Sequence, residues 1–175
     1  MSKMNHINTG YWCPQCRGDV SHGEFIVSNI LNQLSLKYST QKTFSDLYSP
    51  YSSSKLICDF WISLFSLILE FDGKPHFKPC KFKKDITKEE MKKIFYEQLL
   101  RDREKDRWAK RKGKNLLRID YKQMKSILDI IADTMVKIAD NIRKNIKEPI
   151  IISPHAEWRE NKIKELEKEL NIIQE

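Results

Sequence analysis

The chain is short of cysteine and of long apolar runs, and each shortage closes off a class of protein. Four cysteines occur among 175 residues, one Cys-x-x-Cys pair and two scattered thiols. That is no disulfide framework of a small secreted domain, so reduced thiols or a bound metal are expected. No apolar run approaches the roughly 20 residues that a membrane-crossing helix needs. The opening MSKMNHINTGYW also lacks the apolar centre of a signal peptide. An intracellular, cytoplasmic protein with no membrane partner is the expectation. There is no internal repeat, no low-complexity segment and no base-reading motif, so the sequence supplies no argument about sequence specificity.

What the chain does have is positive charge. Thirty-two Lys and Arg against 24 Asp and Glu give a formal charge of +8, and such a field attracts polyanions. The excess is local. Residues 74–93 carry eight basic and three acidic residues, and residues 101–114 again eight and three, whereas residues 147–175 carry five and seven. The length suits one domain with a core of useful size plus a small appendage.

Ser21-x-x-Glu24 has capping-box spacing, and Ile26, Val27, Ile30, Leu31 and Leu34 follow at helical intervals, which predicts a helix over about 23–36. A short strand is expected near Gln41 to Phe44, then a loop through YSPYSSS, then strand-like runs over 55–62 and 67–72 joined by a short turn. Thr87-x-x-Glu90 repeats the capping box and opens a charged helix to about Lys112, ended by Gly113. KNLLRID reads as a strand. Met124, Ile127, Leu128, Ile131, Met135, Ile138 and Ile142 mark one face of an amphipathic helix. Past Pro149, Ser153 and Pro154 suit an N-cap and first position of a last helix. The expected class is α/β, a central mixed sheet flanked by helices in the order αβββαβα, with an extra C-terminal helix. Residues 1–20 form a Cys-x-x-Cys segment, 21–147 the main domain and 148–175 a helical extension.

Within the hairpin, LILEFDGKPHF drives an apolar strand into Glu70 and Asp72 and stops it at Gly73. A turn centred on Leu64 and Phe65 pairs Phe60 with Leu69, Ile62 with Leu67 and Cys58 with Phe71 on one face. The other face then sets Asp59 opposite Glu70, with Asp72 on the same side. Like charges directly across a pair are unfavourable. A hard divalent cation such as Mg²⁺ or Mn²⁺, bound through carboxylate oxygens, is the simplest compensation.

CDFWI, EFDGKPHF and RDREKDRWAKRKGKNLLRI in this order resemble the restriction-endonuclease-like PD-(D/E)XK nucleases. The closer likeness is to the branch of very-short-patch-repair endonucleases and related small phage, viral and bacterial nucleases. The resemblance spans residues 21–121. It implies Asp59 and Glu70 as metal-binding carboxylates, the backbone carbonyl of Phe71 as a further ligand and Glu24 approaching from the first helix. Where the wider superfamily has a lysine this chain has Asp72, which leaves the general base open among Lys74, His76 and Lys105. His76 is favoured by its near-neutral titration, and Lys105, three residues after Asp102, as a clamp on the scissile phosphate. The function implied is Mg²⁺-dependent endonucleolytic hydrolysis of DNA, in repair, restriction or viral genome processing; if viral, the host cytoplasm is the setting. The alternative is a DNA-binding module that keeps the fold without catalysis, supported by zinc. Lys74, Lys78, Arg101, Lys105, Arg107, Lys110 and Arg111 are the candidate phosphate contacts. No organic cofactor is expected. Two-strand cutting would call for a homodimer.

Several residues have plainer readings beside these. Cys13 and Cys16 make half of a zinc site, with His6, His22, Cys58 and Cys80 as completions, or are ordinary thiols at a turn. Glu24 closes a capping box, Asp72 precedes a turn and His76 packs beside Phe77. The basic helix is a solvated face, Trp108 a core anchor, and Ile163, Leu166, Leu170 and Ile173 pack within the molecule or against a second copy.

Overall fold

A computed structural model describes residues 21–81 and 85–171. The Cys13 and Cys16 pair, and with it the zinc reading, lies outside the described residues. The chain divides after Leu36 into two units. In the first, α1 (His22–Gln33) opens on Ser21, whose side chain accepts from the Glu24 N–H at 3.2 Å. It ends three residues before the expected Leu36, because Ser35 turns left-handed at φ 54°.

The second unit is a mixed α/β domain. Its strands are β1 (Ser39–Tyr48), β2 (Lys55–Ile62), β3 (Leu67–Asp72), β4 (Asn115–Asp120) and β5 (Ile151–Ile152), in that spatial order in one sheet. The β1–β2 and β2–β3 pairs are antiparallel, and the β3–β4 and β4–β5 pairs parallel. The β2–β3 hairpin turns through a 3₁₀ segment at Ser63–Phe65 and takes the register Phe60↔Leu69, Trp61↔Ile68, Ile62↔Leu67. Phe60 with Leu69 and Ile62 with Leu67 are the expected pairs. The expected Cys58 to Phe71 pair is not in the ladder: Cys58 instead packs with Ile68, Trp108 and Leu116, on the side that bears Glu70. Strand β3 is buried along its whole length. It has a neighbour on either edge, which is why LIL precedes the acids without alternation.

Helix α2 (Lys88–Arg111) starts with both hydrogen bonds of a capping box, Thr87 to Glu90 and back, and carries the chain from β3 to parallel β4. Gly113 stops it at φ 61°, a conformation glycine adopts without Cβ strain. A 3₁₀ turn at Tyr121–Ser126 leads to α3 (Ile127–Arg143), whose Ile127, Ile131 and Ile138 are buried. The last helix, α4 (Ala156–Glu169), packs Ile163 and Leu166 against Phe95, Leu99 and Leu100 of α2. A second cluster sets Trp108 and Ala109 of α2 on Leu56, Cys58, Ile68 and Leu116 of the sheet. Trp108 is thus the expected core anchor, its indole N–H donating to Asp46 at 3.2 Å.

Three elements differ from expectation. Strand β1 runs ten residues, not four, and its polar STQKTFSDLY reflects an exposed sheet edge. Strand β5 adds a ninth element, so the described order is αβββαβαβα; two residues are too few to carry a period-two pattern. Ser153 does not cap α4: its hydroxyl donates to Asp106 Oδ2 at 2.6 Å, and the helix begins after His155. Among the described residues no helix is long and apolar enough to cross a membrane.

Candidate metal centre and nucleic-acid cleft

Lys55, Leu56, Ile57 and Asp59 of β2 border a cleft of about 480 Å³, which Glu70, His76, Arg101 and Lys105 also line. The Asp59 carboxylate accepts the Phe71 N–H at 2.9 Å, so this acid is pinned against β3 beside Glu70. Glu70 itself is 1% exposed. Its Oε2 accepts from the Lys105 ammonium at 2.6 Å, while Oε1 is buried with no hydrogen-bond partner among the described residues, and the Cys58 thiol lies close to the carboxylate. Burial pushes the Glu70 carboxyl up to about 7, Lys105 restrains it and the Asp59 charge adds to the rise. Burial pulls Lys105 down, but Glu70 and then Asp59 outweigh it and hold the ammonium above its ordinary value. Buried polar oxygens are seldom left without a partner. Carboxylate oxygens such as these are the ligand type that a hard divalent cation takes.

Behind the cleft lies a second set of charges. Arg118 on β4 donates to Asp72 Oδ1 at 2.7 Å, to Asp106 Oδ1 at 2.7 Å and to the Asp102 carbonyl at 3.1 Å. Arg159 of α4 reaches Asp106 Oδ2 at 2.7 Å. His76 Nδ1 sits 2.8 Å from Asp102 Oδ2 and 3.4 Å from Asp72 Oδ1. Burial pulls His76 down, yet the Asp102 charge and hydrogen bond more than offset it and raise the imidazole above its usual range. Asp102 is raised by burial and lowered more by Arg118 and His76, so it stays ionised well below the ordinary carboxylate range. Three aspartates thus face two arginines and an imidazole whose protonated form Asp102 favours.

Asp72, His76 and Asp102 offer ligand atoms within 4.8 Å of one another, a group that could hold a metal ion. The Arg118 guanidinium already stands between the two acids, 2.7 Å from Asp72 and 3.5 Å from Asp102. A cation there would meet that positive charge, just as one beside Glu70 would meet the Lys105 ammonium 2.6 Å from Oε2. Asp72 is therefore a buried ion-pair partner and no mere turn residue.

The remaining sequence candidates are dispersed. Glu24 belongs to the first unit. Lys74 and Lys78 are exposed on the loop after β3. Arg101 is half-buried in the cleft wall, donating to Tyr51 Oη and to Gln98 Oε1. Arg107 and Arg111 pair with Glu160 and Glu104 at 3.1 and 2.7 Å, and Lys110 is exposed. Of the basic residues on α2 only Arg101 and Lys105, one turn apart, line the cleft. Lys55, exposed at the cleft, was missed by the sequence reading. Gly73 has φ −74°, and a Cβ there would meet only Pro75 Cδ at 3.6 Å. The turn past the carboxylates therefore does not require glycine's conformational freedom. The chain matches no protein-family model, no curated protein and no solved structure.

Proposed function

We propose that this protein is a divalent-cation-dependent endonuclease that hydrolyses DNA phosphodiester bonds, with a restriction-endonuclease-like core. The single observation that carries the reading is Glu70, buried beside Asp59 with one oxygen on Lys105 and the other without a hydrogen-bond partner among the described residues. The antiparallel β2–β3 hairpin bearing both acids and the α2 crossover to parallel β4 support the same core. A bound Mg²⁺ or Mn²⁺ would supply Lewis-acid stabilisation and a water of lowered pKa.

The chain's own groups divide the remaining work. Asp59 and Glu70 hold the cation. Lys105, kept protonated by the two acids, is a fixed positive charge for the scissile phosphate rather than a base. His76, oriented by Asp102 at Nδ1 and lining the cleft, is the proton-transfer group, and the raised imidazole favours donation to the leaving oxygen. Lys55 and Arg101 on the cleft walls match the flanking phosphates.

Supercoiled plasmid incubated with the purified protein tests this directly. Nicked or linear product with Mg²⁺ or Mn²⁺, none in excess chelator and no suppression by competing RNA are expected. Retarded but uncut plasmid would contradict the proposal in favour of a non-catalytic DNA-binding module.

A further inference from the structure

Outside the cleft, the most unusual grouping is aromatic. Phe77 lies among three other rings: His155 at 4.9 Å between centroids, Tyr121 at 5.7 Å and Trp158 at 5.7 Å. None belongs to the two buried clusters that hold α2 to the sheet and to α4. Trp158 is 37% exposed, and the other three are half-buried. An ordinary packing cluster would favour aliphatic side chains turned fully inward.

Its place in the fold is equally specific. Phe77 directly follows His76, which lines the cleft. Tyr121 directly follows the end of β4, and the parallel register Asp72↔Asp120 brings that end beside the end of β3. The cluster therefore adjoins the proposed reaction centre along the same sheet edge. Lys74 and Lys78 are exposed on the loop that bears Phe77, and Lys122 Nζ stands 5.8 Å from the Tyr121 ring centroid. Partly exposed aromatic rings interleaved with lysines are the chemistry that binds single-stranded nucleic acid: rings stack on bases while ammonium groups meet the backbone. A purely aliphatic protein surface would complement the rings and leave those charges unmatched.

We propose that Phe77, Tyr121, His155 and Trp158 form a stacking site for unpaired nucleobases, so that the protein prefers DNA whose duplex is interrupted by a single-stranded stretch. That the strand continues into the cleft rests on the nuclease reading; the stacking preference is measurable without it.

The test is equilibrium binding in chelator, by fluorescence anisotropy, of one labelled duplex that is either fully paired or extended by a single-stranded tail. The wild-type chain is expected to favour the tailed duplex. Trp158→Ala and Tyr121→Leu should each reduce that preference about 5- to 100-fold. Fully paired binding and the slope of affinity against salt should stay unchanged, and Trp158→Phe should retain the preference. Equal binding of the two DNAs by the wild type, equal losses on both in the variants, or no loss in either variant would overturn the proposal. So would variants that lose only self-association in sedimentation. Because cleavage is not read, an inactive protein that still prefers the tail would refute the nuclease reading and leave the stacking site standing.

Discussion

Glu70 has one oxygen against Lys105 and the other without a hydrogen-bond partner among the described residues, beside the Cys58 thiol, at a carboxyl that burial raises to about 7. The folded chain thus binds this proton more tightly than the unfolded chain. Glu70's share of stability is full below its ordinary value of 4.5 and is lost as pH rises through about 7. Cation binding needs the ionised form and reverses that loss. Single-turnover cleavage should therefore rise about tenfold per pH unit up to about 7 and then level, and a flat profile from pH 5.5 to 7.5 would contradict this. Added Mg²⁺ should likewise raise the melting temperature more at pH 8 than at pH 5.5. Lys105→Met removes the charge that restrains Glu70, so the profile should move to higher pH and activity at pH 7 fall at least about tenfold. Asp59→Asn keeps an acceptor for the Phe71 N–H, so circular dichroism should be unchanged while cleavage drops about 100-fold or more. These two acids were legible because alternation in a half-buried hairpin leaves one register. Arg118, Asp106 and Arg159 were not, since their meeting depends on contacts among β4, α2 and α4 that no local spacing encodes.

At the scale of elements, α2 does two jobs with one face. Phe95, Leu99, Trp108 and Ala109 pack the core, and between them Asp102 and Lys105 are buried against His76 and Glu70. Helical spacing revealed that Asp102 and Lys105 share a side, but not that the side was buried, because their polarity reads as solvent-facing. The capping box at Thr87 and the stop at Gly113 were both visible, since each is a local backbone requirement. Gly113→Ala should cost about 1 kcal/mol in urea denaturation, from the left-handed backbone alone, as a Cβ there meets nothing within 4 Å. Strand β5 was hidden for the opposite reason: its two residues gain their conformation from β4, not from their own pattern.

For the whole molecule, the formal +8 is unevenly placed and partly internal. Arg118 and Arg159 neutralise buried aspartates, Arg107 and Arg111 neutralise glutamates, and Lys55 and Arg101 remain on the cleft walls. Counting basic residues along α2 therefore overstated its nucleic-acid face, while the buried ion pairs hold α4 to the sheet. Arg118→Met would strand the acids it serves and should lower stability by about 3–5 kcal/mol in urea melts, more than any surface substitution. The central claim is that Asp59 and Glu70 share a cation, and anomalous scattering from crystals soaked in Mn²⁺ tests it most directly. The account predicts a manganese peak in contact with both carboxylates; a peak at Asp72, His76 and Asp102 instead, or none beside Glu70, would contradict it.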